Sequence, residues 1–270
     1  MQYIKSEIVQ KIFETSNMVE VISEFVDLKK SGGTLKGLSP FIKEQSASFM
    51  VSPSKGIWKD FSSGKGGTNA VSFLQEKEGL SFIQSIEWLA KKYSITVEYD
   101  DSQNAKENLE KAEKREKLLQ LMESVIRKYE EEFKKLPINH PAKIEVYQKR
   151  EYTPETVDQY RIGYAPGRKF LYDLCLASGR IEDAIDLGLI NEYNDKWYNR
   201  IIYPLIDRKG TSLFPIGMAG RRLTEEKKYA KWMNSADSKL YNKELFWYGM
   251  DKAREEMVKR SEAWIVEGYN

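Results

Sequence analysis

Four positions within Thr34–Gly67 have the spacing of a metal site but not its chemistry. Ser39 and Ile42 lie in Gly37-Leu38-Ser39-Pro40-Phe41-Ile42, and Asp60 and Ser63 lie in Asp60-Phe61-Ser62-Ser63-Gly64. Each pair is separated by two residues, in a knuckle on either side of a hairpin signalled by Pro53-Ser54-Lys55-Gly56. Such knuckles hold zinc when they carry thiolates or imidazoles. Here only Asp60 could ligate a metal readily. The chain's single Cys (Cys175) and single His (His140) cannot build a Cys/His zinc site anywhere in a monomer. The sequence therefore predicts no bound zinc.

The same stretch mixes aromatic residues with lysines. Phe49, Trp58 and Phe61 could stack on unpaired bases or fill a small core. The core reading is favoured for Phe49 and Phe61, while Trp58 stays open, with Lys43, Lys55, Lys59 and Lys65 around it. Gly64-Lys65-Gly66-Gly67-Thr68, ahead of a helix, could hold an anion at the helix N-terminus, but it lacks the earlier glycine of a P-loop. His140, next to Pro141 at a helix start, reads as structural.

Bulk charge does not announce a nucleic-acid partner, since the net charge of the 270 residues is +2. Its distribution is uneven. Residues 1–100 hold 12 Lys and 12 Asp/Glu with no Arg, whereas residues 196–260 hold 15 Lys/Arg against 8 Asp/Glu. That excess forms either a phosphate-binding face or a solvated lysine-rich surface. One cysteine excludes an internal disulfide and suits a reducing compartment. No apolar run is long enough to cross a membrane, and Met1–Lys5 has no signal-peptide character.

The elements that must position these residues follow from pattern. Ser6 and the pair Asn17/Glu20 mark two helix starts, the second running to Phe25. Leu28–Lys30, Thr34–Lys36, Ser48–Ser52 and Ile57–Phe61 read as strands. Thr68 and Ser81 cap two more helices, and Ile95–Tyr99 alternates as a strand. A polar linker is expected over Asp100–Lys106. A long charged helix then runs to Lys135, its apolar stripe formed by Leu118, Leu119, Met122, Val125, Ile126, Tyr129 and Phe133. Ala142–Lys149 and a segment opened by Thr153-Pro154 read as short helices, and Arg161–Pro166 as a strand. Tyr198–Asp207 and Thr211–Met218 form a hairpin about Asp207-Arg208-Lys209-Gly210. Asp251–Arg260 is helical, and Ala263–Val266 reads as a buried strand leading to Glu267.

The ribbon stretch resembles the amino-terminal zinc-binding domain of bacterial DnaG-type DNA primases, whose pattern is KGLCPFH, then SFxV, then CFGCGKGG. The scaffold is kept, and the four ligand positions read Ser39, Ile42, Asp60 and Ser63. The resemblance continues through Tyr147–Arg150, Ile162–Pro166, Asn199–Pro204, Gly217–Leu223, Lys231–Ser235 and Leu240–Lys243 to Glu267-Gly268-Tyr269, which is similar to the end of the first TOPRIM strand. It implies an α+β chain: a zinc-ribbon-like domain over 1–100, the first subdomain of the RNA polymerase domain over 101–261, and the opening of the TOPRIM fold over 262–270. It implies Glu267 as catalytic, with Mg or Mn only in the complete polymerase site. Arg200, Arg221, Lys231, Asn234 and Lys243 become candidates for template or nucleotide binding, and Trp58, Lys59 and Lys65 candidate template contacts in the ribbon. Arg222 is an extra charge with no assigned role. The implied partners are single-stranded DNA, NTPs, an RNA primer–DNA hybrid and the replicative helicase through a further C-terminal region, with no membrane and a cytoplasmic location. The other reading is a non-catalytic single-stranded nucleic-acid-binding protein derived from a primase of a phage or mobile element.

Overall fold

A computed structural model describes residues 3–209, 212–223 and 230–266. The chain falls into two compact units, Met1–Ser124 with Lys209–Phe214, and Val125–Arg208 with Pro215–Asn270.

The first unit begins with β1 (Tyr3–Ile4), α1 (Ser6–Thr15) and α2 (Met18–Ser23). Five short strands follow: β2 (Lys29–Ser31), β3 (Thr34–Gly37), β4 (Phe49–Ser52), β5 (Ile57–Asp60) and β6 (Gly66–Gly67), adjacent in that order in one antiparallel sheet. Then come α3 (Ala70–Glu78), α4 (Phe82–Lys92), β7 (Tyr99–Asp100) and the long α5 (Gln103–Lys135), whose last turns count with the second unit.

Two cores hold this unit. Ser81 and Gln84 form a reciprocal cap that starts α4. Phe82, Ile86 and Leu89 then line one face and pack with Val9 and Ile12 of α1 and Val71 and Leu74 of α3. The second core lies under the sheet. Trp58 stacks 5.8 Å from both Phe41 and Phe49 and meets the edge of Phe73 at 5.4 Å. Each such ring buried contributes roughly 1.5–3 kcal/mol, so a small sheet leans on α3 through Phe73. Leu89 and Trp88 contribute through the helical core, Trp88 reaching Phe25 at 6.0 Å.

The second unit contains α6 (Pro141–Lys143), a π-helical turn (Ile144–Lys149), α7 (Pro154–Gln159), β8 (Gly163–Ala165), α8 (Phe170–Ala177) and α9 (Ile181–Asp186). Next are β9 (Arg200–Lys209), β10 (Ser212–Arg222), β11 (Trp232–Asn234), a 3-10 turn (Lys243–Leu245) and α10 (Met250–Arg260). The sheet order is β11-β10-β9-β8. The end of α5 crosses β8 so closely that a Cβ on Gly163 would lie 2.8 Å from Tyr129 Cβ. Glu130 of α5 pairs there with Arg161 at 2.8 Å, both buried.

The architecture is α+β, and most boundaries follow the sequence to within a few residues. The exceptions have local causes. The cap of α1 is Lys5, not Ser6, and that of α3 is Asn69, not Thr68. The strand expected over Ile95–Tyr99 shrinks to Tyr99–Asp100, because its partner β1 offers two residues. The expected linker is already helical from Gln103. Ala142–Lys149 is one α-turn followed by a π-turn. Ala263–Val266 forms no strand and is exposed, Trp264 by 86%. A strand of that composition requires neighbours for its backbone groups, and none of the described residues pairs with it. Gly210 and Thr211 of the expected hairpin lie outside the described residues. Among the described residues no helix is long and apolar enough to cross a membrane.

Candidate nucleic-acid interface

At the ribbon knuckles a carboxylate occupies the centre. Asp60 is fully buried. Its Oδ2 accepts from Ser39 Oγ at 2.9 Å, Ser62 Oγ at 3.1 Å, Ser63 N–H at 3.0 Å and the Ser63 hydroxyl. Its Oδ1 accepts from Ser48 Oγ at 3.1 Å. Glu44 binds the same knuckles, accepting from the N–H groups of Ser39 and Ser48 at 2.7 and 3.1 Å. Burial pushes the Asp60 carboxyl up, but hydrogen bonds from Ser63, Ser39 and Ser62 outweigh it and hold it below the usual range. Ile42 turns away from this cluster: its side chain is 45% exposed and only its N–H reaches inward, donating to Ser39 Oγ at 3.0 Å. These residues do not fit zinc. They offer no thiolate or imidazole, Ile42 faces solvent, and the one carboxylate is already saturated by donors. Among the described residues no group of three or more His, Cys, Asp or Glu could hold a metal ion.

Register decides what the ribbon can present to a ligand. One cross-strand row reads Lys30, Leu35, Val51, Trp58, Gly67, and the next reads Lys29, Lys36, Met50, Lys59, Gly66. The first row holds the core residues Val51 and Trp58, and the second faces away from it. Trp58 is therefore buried, with its N–H donating to Ser72 Oγ at 3.2 Å, and cannot stack on a base. Phe49 is buried as expected. Phe61 is not: it is 58% exposed, with the Lys59 ammonium 4.6 Å above its ring. Lys65 is tied to Glu76 at 2.8 Å and lies 4.8 Å from the Phe41 ring. Lys29 and Lys36, which drew no notice in the sequence, extend the outward row. Period-two alternation along Ile57–Phe61 would have exposed the exchange of Trp58 for Phe61. The α3 N-terminus holds no anion site, because Asn69 itself accepts from Ser72 N–H at 2.8 Å.

In the second unit the candidate basic residues separate. Arg200 is buried, and its guanidinium donates to the carbonyls of Gly220 and Ala230, both at 3.1 Å. It ties β9 to the backbone across β10, and Gly220 is required there, since a Cβ would sit 3.0 Å from Arg200 Cδ and 2.9 Å from Trp197. Arg221 opposes Trp232 in the β10–β11 register and reaches Glu145 Oε1 at 2.7 Å, an ion-pair contact. Arg150 donates to the same oxygen at 3.1 Å. Both guanidinium carbons lie 5.7 Å from the Trp232 ring, at cation–π distance. Burial pushes the Glu145 carboxyl up, yet Arg221 and Arg150 together hold it below the usual range, so it stays ionised. An open cavity of about 470 Å³ is lined by Glu145, Lys149, Arg150, Tyr152 and Arg221. Two guanidinium groups lining one open cavity can grip phosphate oxygens.

Lys231 and Asn234 are exposed, Asn234 on the same face of β11 as Trp232. Lys243 is exposed in the 3-10 turn, its N–H on Asp237 Oδ1 at 2.8 Å. Arg150, Glu145 and Trp232 drew no role in the sequence reading, although Arg150 closes one of its matched motifs. His140 is structural as expected, its Nδ1 accepting from Ala142 N–H at 3.1 Å. Glu267 lies outside the described residues.

Residues 4–105 match the family described as CHC2 zinc finger, and residues 129–254 match the family described as DNA primase catalytic core, N-terminal domain. The DNA primase of Enterococcus faecalis is 30% identical over 280 residues, covering 99% of this chain and 44% of the relative. That of Halalkalibacterium halodurans is 31% identical over 276 residues with the same coverage. The chain thus spans less than half the length of these relatives. The crystal structure of the Aquifex aeolicus primase zinc-binding and RNA polymerase domains is similar with a TM-score of 0.62 at 28% identity, over 97% of this chain and 62% of that one.

Proposed function

We propose, from the premise that this chain belongs to the DnaG-type DNA primases through both of its matched domains, that it is the template-engaging part of an enzyme that copies single-stranded DNA into short RNA primers. The observation that carries this reading is the pair Arg150 and Arg221, gathered on Glu145 and lining one open cavity with Lys149 and Tyr152. Arginine neutralises phosphate without reading sequence. Lys231, Asn234 and Lys243 extend the same chemistry along exposed backbone. Arg200 supports the reading only as a strut for β9 and β10. In the ribbon, the outward row Lys29, Lys36 and Lys59 with Phe61 takes the place of Trp58 as the candidate template surface, and Lys65 borders it.

Domain limits at residues 100 and 261 fit this division of labour, with 262–270 opening the TOPRIM fold. Glu267 belongs to the metal-dependent polymerase site of the complete protein, where Mg or Mn, NTPs and the primer–template hybrid meet. The ribbon operates without zinc, the helicase is engaged from outside this chain, and the place of action is the cytoplasm.

Anisotropy of a labelled single-stranded oligonucleotide across a salt series tests the reading. Lys231→Ala and Lys243→Ala should each weaken binding and lower the log–log salt slope by about one contact. Unchanged affinity and slope in both would remove these lysines from the interface. Absence of salt-dependent binding by the unmodified chain would reject the function itself.

A further inference from the structure

Residues Ile144–Lys149 form a π-turn, a form that is rare and recurs at functional sites. A π-turn closes on residue i+5, and the Arg150 N–H donates to Glu145 O at 3.1 Å. The side chains follow the backbone. Arg150 sits on Glu145 Oε1 at 3.1 Å, whereas Lys149, which an α-turn would set over Glu145, stays exposed with its ammonium 3.8 Å from Oε2. Arg221 arrives at the same Oε1 from β10. One carboxylate oxygen thus meets two guanidinium groups from separate elements beside one indole, Arg150 through an Nε–H hydrogen bond and Arg221 through an ion-pair contact in which its buried Nε–H makes no hydrogen bond.

We propose that Glu145 is a positioning residue for phosphate recognition, holding Arg150 and Arg221 as a paired fork beside Trp232, and that the π-turn exists to bring Arg150 rather than Lys149 onto it. The ligand is a phosphate group, either a phosphodiester of a single strand or the polyphosphate of a nucleotide. The inference deepens the proposed function and rests on it. Two arguments favour positioning over charge balance. A guanidinium fixed in advance loses less freedom on binding a phosphate than a mobile one. And a carboxylate among cations is, by Coulomb's law alone, a competitor of phosphate, so its presence at the centre requires a compensating gain.

Those views predict opposite signs for one substitution. Glu145→Gln removes a negative charge, so electrostatics alone gives tighter binding of an anion, while loss of positioning gives weaker binding. The full chain is titrated with labelled oligothymidylate across a salt series, and with sodium tripolyphosphate as competitor. Under the proposal, Glu145→Gln weakens at least one probe about fivefold or more and lowers the salt slope by about one contact. Loss with oligothymidylate alone identifies a phosphodiester, with tripolyphosphate alone a nucleotide, and with both a shared site. Tighter or unchanged binding of both probes by a folded variant overturns it. If Glu145→Gln does not fold, Arg150→Lys keeps the charge and removes the fork: the same loss is expected, and wild-type affinity would refute the proposal. Binding by the unmodified chain separates this failure from that of the function, because a chain that binds neither probe rejects both.

Discussion

At the scale of the residue, Asp60 draws the two knuckles together as a hydrogen-bond acceptor, receiving five donors from Ser39, Ser48, Ser62 and Ser63. Bonds to a charged acceptor contribute roughly 1.5–3 kcal/mol each, with strong overlap when shared. Asp60→Asn should therefore destabilise the first unit by about 2–4 kcal/mol in denaturant unfolding. EDTA should leave the melting temperature of the parent chain unchanged. The pH dependence has a definite sign. The folded carboxyl is held below its ordinary value, so its contribution is fully present above about pH 4. It is lost as pH falls from there through the lower folded value. Glu44, also held low, acts in the same direction. A ribbon that melts on chelation, or an Asp60→Asn chain as stable as the parent, would show that this cluster is not what holds the knuckles. The sequence identified these four positions, but not which of their side chains turn inward. The spacing of a knuckle specifies which backbone groups converge. It does not specify which side chain turns in once no metal demands all four, so Ile42→Asp at the exposed position should shift stability by no more than about 0.5 kcal/mol.

Among the elements, α5 shows where periodicity is legible and where it is not. Each apolar residue read as its stripe, from Leu118 to Phe133, is buried. Glu116, Glu123 and Glu130 are buried with them, spaced by seven along the same helix, and a residue-type reading assigns glutamates to solvent. Two of them have partners remote in sequence: Asn69 donates to Glu116 at 2.8 Å and Arg161 to Glu130. Removing one member of a buried pair strands the other charge, so Glu130→Ala should cost about 3–5 kcal/mol, read as an earlier denaturant transition of the second unit. A loss below about 1 kcal/mol would mean that Arg161 relaxes to solvent and the pair is dispensable. The same remoteness hid α8. Its preceding residue Lys169 offers no cap, and the N–H groups of Leu171 and Tyr172 bind Asp195 instead, at 2.8 and 2.7 Å. Local caps such as Asn17, Ser81 and Thr153 were readable because donor and acceptor lie within three residues. Arg150 escaped for a related reason, since a π-turn changes which residue stands over Glu145 and no local signal marks it.

For the molecule as a whole, the decisive facts are how much of its primase relatives this chain matches and what its described residues can hold. It matches relatives over 44% of their length, and among the described residues no group of three or more His, Cys, Asp or Glu could hold a metal ion. Nucleotide polymerisation relies on metal ions to neutralise the triphosphate and the charge that develops on transfer. Phosphate binding, by contrast, needs only positioned cations, and Arg150 and Arg221 are in place. The two activities should therefore separate. The 270-residue chain should bind single strands with a clear salt slope and yield no primer with NTPs and Mg or Mn on a single-stranded template. A longer chain that continues through the TOPRIM fold should make primers, and Glu267→Gln in it should lower the rate by a factor of at least about 100, the scale expected when one charged group at a metal-assisted centre is lost, with template affinity unchanged. Primer synthesis by the 270-residue chain would show that the chemistry needs no further domain. A fully active Glu267→Gln enzyme would remove that residue from the polymerase site while leaving the template surface of the second unit as it stands.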